Sequence, residues 1–249
     1  AQMAMHDGWL KSVASLDLDS RLVSAAEIAK LAPGGQGQWA GGIYTPSDAR
    51  AEPTLASSAI AKAAMAKGAL IIENCAVRTL VTSGGRVSGV LTERGEIRCE
   101  QVLLAGGMWS RRFLGNHGIN LPTLPLTCSV MRTKPMDGPT EIALGAPDFS
   151  FRRHKDGGFI VTQRGALDAH LTLDHLLIGM RYLPQLKAQR DFLRVSFGKE
   201  FFKDLALARS WKGTSVTPFE KVRTLDPAAN PSLNAEAMRN LVAAWPMSV

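Results

Sequence analysis

The chain has 249 residues, which is enough for one large domain or two smaller ones. Hydrophobic residues make up 45% and charged residues 20%, a mix typical of globular proteins that excludes a disordered chain, a collagen-like repeat and a disulfide scaffold. The formal charge of +7 would suit a nucleic-acid binder, but the basic residues are scattered and aromatic residues do not alternate with them. We therefore expect no nucleic-acid partner, and a basic protein that binds anionic metabolites or cofactors.

The three cysteines, Cys75, Cys99 and Cys128, are widely spaced and show no zinc-binding pattern. We expect them to be small buried residues in a reducing cytoplasm. No apolar run approaches the ~18 to 20 residues of a membrane helix, so we expect no transmembrane segment. The chain begins without a signal peptide and without an initiator methionine, and we interpret it as an internal piece of a longer protein.

The first third of the chain is predicted to be helical with one short strand. Residues 1–31 favour two helices, the second opened by Ser24 and Glu27, which have the spacing of a capping box. Residues 41–44 favour a strand. Residues 54–67 form an alanine-rich helical pattern with Pro53 at its start and Gly68 at its end, the residue types preferred there.

The next segment changes to a β pattern. Short strands are predicted at residues 69–72, 77–82, 87–92 and 97–99, with glycine-containing turns between the later ones. Residues 102–105 are a continuous apolar run, which predicts a strand buried on both faces of a parallel sheet. Gly106 and Gly107 end this run, and a helix is predicted over residues 108–115.

After Pro122 and Pro125 the pattern indicates an antiparallel sheet. Strands are predicted at residues 126–132, 141–144, 149–154 and 159–162, with a hairpin turn at residues 156–158. Residues 171–207 are predicted to be mostly helical, and residues 214–217 to return to the sheet. A last helix is predicted over residues 232–244.

Four stretches, in this order, carry a resemblance to a known family. They are Gly41-Gly42-Ile43-Tyr44-Thr45-Pro46 with Glu52-Pro53, residues 68–97 with Gly85-Arg86-Val87, the run from Val102 to Ser110, and Leu121-Pro122 with Pro125. Together they resemble the D-amino-acid-oxidase-like superfamily of FAD-dependent oxidoreductases. Residues 149–158 and 211–227 look closer to the dehydrogenase or opine-oxidase subunits of that superfamily.

The resemblance implies an α/β plus α+β fold. Residues 1–121 would form a partial FAD/NAD(P)-binding-type flavin domain with a β excursion. Residues 122–249 would form an antiparallel-sheet substrate-binding domain with flanking helices. The chain departs from the family in two respects. It contains no Gly-x-Gly-x-x-Gly fingerprint for the flavin pyrophosphate, and we expect it to lack the family's C-terminal segment, which closes over the flavin ring. We therefore expect this chain alone to bind FAD weakly or not at all.

The resemblance also implies which residues contact the cofactor. The paired glycines after a buried strand would let the backbone approach a dinucleotide closely, although an ordinary strand-to-helix turn would also explain them. The predicted flavin-binding residues are Val77, Ala105, Gly106, Gly107 and Trp109. Val77 would contact the adenine through its backbone, and an equally simple role for it is core packing.

The resemblance implies that an arginine of the antiparallel sheet binds the substrate carboxylate, because substrate domains of this superfamily use an arginine in this way. Arg152 and Arg153 alternate along one strand, so only one of them can face a given side. We select Arg153 as the bidentate clamp, with two solvated edge charges as the alternative. Tyr44 is a second substrate-binding candidate, and packing would also explain it.

No residues stand out as catalytic acids or bases. The five histidines lack metal-binding spacing, and no nucleophile elbow of a hydrolase occurs. The resemblance implies oxidation of the C–N bond of an amino acid, imino acid or opine by hydride transfer to FAD, with oxygen or a partner subunit as the electron acceptor. The alternative is a non-catalytic subunit or a ligand- or protein-binding module derived from that fold.

Overall fold

A computed structural model describes residues 2–246 of the chain. Its α-helices are α1 (Gln2–Ser12), α2 (Ala25–Leu31), α3 (Pro53–Ala66), α4 (Trp109–Gly115), α5 (Leu173–Ile178), α6 (Leu183–Ala188), α7 (Lys199–Ala206), α8 (Pro218–Lys221) and α9 (Pro231–Ala244). Its strands are β1 (Arg21–Ser24), β2 (Gly41–Tyr44), β3 (Val77–Ser83), β4 (Arg86–Thr92), β5 (Gly95–Arg98), β6 (Val130–Arg132), β7 (Leu144–Gly145), β8 (Ser150–Arg153), β9 (Phe159–Thr162), β10 (Leu167–His170) and β11 (Leu193–Ser196).

The described residues divide into two compact units. Unit 1 contains residues 2–63, 128–166 and 229–246, and unit 2 contains residues 64–127 and 167–228. These units do not follow the predicted boundary between residues 121 and 122, because each unit is assembled from segments that are distant in the chain. The assignment of flavin-binding and substrate-binding roles to residues 1–121 and 122–249 stays a prediction.

Unit 1 is built around a four-stranded antiparallel sheet in the order β6-β9-β8-β7, which confirms the predicted antiparallel sheet. Phe159 and Val161 of β9 point into a core that also contains Phe151 of β8. Helix α9 covers this face and contributes Leu241 to the core, and Trp245 follows the helix. Side chains alternate along a strand, so the residues between these core positions lie on the opposite, open face of the sheet.

Local signals in the sequence define several elements of unit 1 correctly. Ser24 and Glu27 form the predicted capping box at the start of α2. Helix α3 begins at Pro53, and Gly68 beyond its end has a positive φ of 92°. Gly157, with a φ of 94°, closes the predicted hairpin between β8 and β9.

Unit 2 contains an antiparallel meander, β3-β4-β5, and the parallel pair β10-β11. The meander confirms three of the predicted strands and their glycine turns. Helix α4 confirms the helix predicted after Gly107, and α5, α6 and α7 confirm that residues 171–207 are mostly helical.

Three predicted strands are wrong, the strand predicted at residues 141–144 is reduced to β7, and neither residues 102–105 nor the three cysteines are fully buried as expected. Residues 69–72, 102–105 and 214–217 form no strand, and Leu103 is 92% exposed. A strand buried on both faces needs neighbours on both sides, and none of the strands within residues 2–246 pairs with these segments. All three cysteines are free, but Cys128 is exposed where burial was expected.

Replacement of Phe159 by alanine is expected to lower the free energy of unfolding of unit 1 by about 3–5 kcal/mol, because this ring is 1% exposed. Leu103→Ala is the matched control and is expected to change stability by no more than about 0.5 kcal/mol. Urea unfolding followed by tryptophan fluorescence measures both. Equal stability of the two variants would contradict the described core.

Candidate functional site

The predicted flavin-binding residues lie in unit 2, around the extended segment formed by residues 102–107, which we call the glycine segment. Ala105, Gly106 and Gly107 are exposed. Gly107 has a φ of 53°, a left-handed conformation that favours glycine, and a side chain there would enter open space. Trp109 begins α4, and its amide donates to the Gly106 carbonyl at 3.0 Å. The glycines therefore present bare backbone at the surface of this unit.

Unbonded donors accompany this exposed backbone. The amides of the glycine segment donate no hydrogen bond to any residue in the described range 2–246. The indole Nε1 of Trp109 is buried without a hydrogen-bond acceptor. Buried polar groups in folded proteins are normally hydrogen-bonded, so the Trp109 indole fits a position against a bound polar molecule, whereas the exposed amides can bond to water. Val77 is half-buried and starts β3, where it pairs with Thr92.

In unit 1, the two neighbouring arginines of β8 lie on opposite faces of the sheet. The Arg153 guanidinium stacks over the Phe159 ring at 5.0 Å from its centroid and donates to the Met136 carbonyl at 3.1 Å. Arg152 lies on the open face. Both side chains are about one-fifth exposed, which is inconsistent with two solvated edge charges.

The open face of this sheet forms a cavity of about 430 Å³, which we call the sheet-face cavity. This volume lies within the range of about 300–1,000 Å³ that small-molecule sites occupy. The cavity is lined mainly by apolar residues, together with two residues that have hydroxyl groups and two arginines. The lining residues are Val130, Ala143, Leu144, Gly145, Ser150, Phe151, Arg152, Ile160, Thr162 and Arg164. Neither Arg153 nor Tyr44 is among them.

Arg152 is already engaged by a carboxylate. Its Nη1 and Nη2 donate to the two carboxylate oxygens of Glu52 at 2.9 and 3.0 Å, a bidentate pair. The Arg152 guanidinium lowers the pKa of Glu52, and hydrogen bonding from the Lys155 amide acts in the same direction. His154 Nε2 lies 3.2 Å from Glu52 as well. The positive charge of Arg152 is therefore largely compensated.

Arg164 differs from Arg152 in its partners. Its Nη1 donates to the Ala146 carbonyl at 3.2 Å, and within the described part of the chain no ion pair involves it. Its guanidinium crosses the end of β7, where a Cβ at Gly145 would lie 2.2 Å from Arg164 Nη1. The glycine at position 145 thus leaves room for this arginine at the cavity.

Sequence reasoning did not identify Glu52 or Arg164 as site residues. Glu52 was noted only as part of an acidic-proline pair, although it pairs with an arginine 100 positions later. Tyr44 lies in β2 and contacts Arg21, whose guanidinium is 5.8 Å from the ring centroid. This contact supports packing, and a substrate role for Tyr44 stays a prediction.

No group of three or more histidine, cysteine, aspartate or glutamate residues within positions 2–246 is arranged to hold a metal ion. Over the same positions, no helix is long and apolar enough to cross a membrane.

Arg152→Met is expected to destabilise unit 1 at neutral pH, because Glu52 loses the partner that lowers its pKa below 4.5. A carboxylate with a lowered folded-state pKa stabilises the fold above its unfolded-state pKa and loses that contribution as the pH falls through the folded-state value. The stability difference between the wild type and the variant should therefore shrink on acidification below 4.5.

Urea unfolding across this pH range measures that difference. Arg50→Met is the matched control, since Arg50 is an arginine of the same unit that pairs with the largely exposed Glu141. A difference between wild type and Arg152→Met that stays constant through acidification would contradict the assigned pair.

Comparisons with known proteins identify the family of the chain. A family model described as FAD dependent oxidoreductase matches residues 1–244. The L-amino acid deaminase from Proteus myxofaciens, solved in complex with anthranilate, has a TM-score of 0.92 at 27% identity, over 98% of this chain and 56% of that one.

Two curated relatives match shorter stretches. A D-amino acid dehydrogenase of Bradyrhizobium diazoefficiens is 34% identical over 45% of this chain and 25% of that protein. A 4-methylaminobutanoate oxidase (formaldehyde-forming) of Paenarthrobacter nicotinovorans is 31% identical over 49% of this chain and 14% of that protein. The match thus spans about half of the solved deaminase and a quarter or less of these relatives. The family match over nearly the whole chain shows that it belongs to the FAD dependent oxidoreductase family.

Proposed function

We propose that the protein containing this chain oxidises the C–N bond of an amino acid, imino acid or related amine. FAD, when bound, would supply the acceptor for a hydride from the substrate α-carbon; the substrate nitrogen would lose a proton, and water would hydrolyse the resulting imine. The sheet-face cavity carries this proposal, because it combines an apolar floor with arginine side chains suited to a carboxylate. The names of the relatives given above describe enzymes that act on amino acids or amines. This supports the same substrate class for the protein that contains this chain.

The role of this chain in that reaction is to bind and orient the substrate. We assign the carboxylate of the substrate to Arg164, whose charge no described ion pair compensates. Arg152, held by Glu52, lines the same cavity but carries little uncompensated charge. The hydroxyl-bearing residues Ser150 and Thr162 line the same face. Arg153, which we predicted as the clamp, faces the core side, and its role in binding stays a prediction.

The glycine segment is the proposed contact of this chain with FAD. Its unbonded amides and the open space at Gly107 support this assignment, as does the buried indole Nε1 of Trp109. The backbone of Val77 is the proposed adenine contact. The proposed electron acceptor is oxygen or a partner subunit, and the proposed location is the cytoplasm. A non-catalytic binding module remains the second candidate, because the sequence has no glycine-rich pyrophosphate fingerprint.

A spectroscopic titration of the purified 249-residue chain with FAD tests the cofactor assignment. We expect weak or no binding, since the pyrophosphate lacks the glycine turn that normally holds it. Any residual binding should weaken further in Gly107→Val, because a β-branched residue is strained at positive φ and fills the open space. A stoichiometric, yellow complex of the wild-type chain would refute the expectation.

Anthranilate, the ligand of the Proteus myxofaciens deaminase structure, is the test compound for the carboxylate site. Arg164→Met is expected to weaken its binding roughly 10- to 100-fold, since hydrogen bonds to charged groups contribute about 1.5–3 kcal/mol. Arg132→Met is the matched control, because Arg132 lies in the same sheet but outside the cavity lining. Isothermal titration calorimetry measures all three proteins.

Arg153→Met in the same series decides between the two arginines. The assignment to Arg164 is overturned if Arg153→Met loses anthranilate binding while Arg164→Met binds it unchanged. Arg153 would then be the residue that binds the carboxylate. Equal weakening in Arg132→Met would show a general charge effect and no specific site.

A further inference from the structure

Unit 2 contains a second cavity, of about 270 Å³, that the proposed oxidation does not use. It lies beside the C-terminal part of α4 and the start of α5, and its lining residues are Arg111, Arg112, Gly115, Gly118, Ile119, Asn120, Asp174 and Arg209. We call it the arginine cavity. All of these residues belong to unit 2, whereas the sheet-face cavity is lined entirely by residues of unit 1.

The arginine cavity contains more positive than negative charge. Within the described part of the chain, the ion pairs of its three arginines involve two carboxylates, Asp174 and Asp204. Arg111 Nε lies 2.9 Å from Asp174, and Arg209 contacts both carboxylates. Three guanidinium groups against two carboxylates leave one positive charge uncompensated. The adjacent His175 adds none at neutral pH, because burial lowers its pKa.

Most of this network is shielded from solvent. The side chains of Arg111 and Arg112 are 14% and 7% exposed, whereas Arg209 is 34% exposed. Arg209 Nη1 lies 3.5 Å from Asp204 without forming a hydrogen bond, and it has no other acceptor within residues 2–246. A network that served only to join α4 to the segment around α5 and α7 would be satisfied by equal numbers of arginines and aspartates. The third arginine therefore leaves a positive charge available to an additional anion.

The shape of the cavity indicates the size of that anion. Gly115 and Gly118 leave part of its wall without side chains, and no atom lies within 4 Å of a Cβ placed on either residue. The volume falls just below the range of about 300–1,000 Å³ for organic ligands. Guanidinium groups match the geometry of phosphate oxygens and bind them through paired hydrogen bonds.

We propose that the arginine cavity is a binding site for a small oxyanion of the phosphate type. Arg209 is its central residue, since it contacts both carboxylates and its buried Nη1, 3.5 Å from Asp204, forms no hydrogen bond. Arg111 and Arg112 supply the flanking positive charges from α4. None of its lining residues is a proposed substrate or flavin contact, and the Arg112 guanidinium lies 6.0 Å from the ring centroid of Trp109, a proposed flavin contact.

Calorimetric titration of the purified chain with inorganic phosphate, at constant ionic strength set by chloride, tests this site. We expect saturable binding that weakens about tenfold or more in Arg209→Gln, because that change leaves the network neutral. Arg223→Gln is the matched control, since it removes an arginine paired with Glu93 in the same unit but outside the cavity. Its phosphate affinity should equal that of the wild type.

A second variant keeps the test decisive if Arg209→Gln fails to fold, which circular dichroism would reveal. Asp204→Asn retains all three arginines and increases the excess charge, so it should bind phosphate more tightly than the wild type. The proposal is overturned if the wild type binds phosphate no better than chloride, if Arg223→Gln loses affinity as much as Arg209→Gln, or if Asp204→Asn binds with unchanged or lower affinity.

Discussion

The alternation of side chains along the β8–β9 hairpin determines which residues of unit 1 can line the sheet-face cavity. Phe151, Phe159 and Val161 point to one face and are buried against α9, which commits the residues between them to the other face. A shift of register by one residue would exchange the two faces, so the aromatic core also sets the position of Arg152. The open face can then carry charged and hydroxyl groups at a cavity without disturbing the packed core.

Charge compensation separates the arginines of this chain into two kinds. Arg152 is balanced one-to-one by Glu52, with a bidentate geometry that fixes its orientation. Arg164 and the group around Arg209 exceed the carboxylates available to them. A paired arginine mainly positions structure, whereas an arginine with surplus charge in a partly enclosed place favours an external anion. Part of the net charge of +7 therefore belongs to arginines whose charge no carboxylate compensates. Composition alone does not show which residues these are.

The glycine segment differs from its predicted structure. Residues 102–105 have the apolar composition of a buried strand, yet Leu103 is almost fully exposed. The backbone amides and the left-handed Gly107 nevertheless remain open to a ligand, as a nucleotide contact requires. A flavin contact at this segment stays a prediction.

The sequence by itself determined the features that depend on a few neighbouring residues. The capping box of Ser24 and Glu27, the ends of α3 and the turn at Gly157 follow from local hydrogen bonds and backbone preferences. The alternation along β8 also predicted that Arg152 and Arg153 would face opposite sides. The family resemblance could be stated for the same reason, since its motifs are short and contiguous.

Only the tertiary structure decided which distant groups meet. Glu52 finds Arg152 across 100 residues, and Arg209 joins aspartates from two different helices, because packing and not sequence spacing brings these segments together. The burial of residues 102–105 was mispredicted for a related reason: an apolar run is buried only if other strands lie beside it. The local sequence pattern determines which secondary structure and which degree of burial a segment favours. Whether the segment adopts them depends on the residues that pack against it.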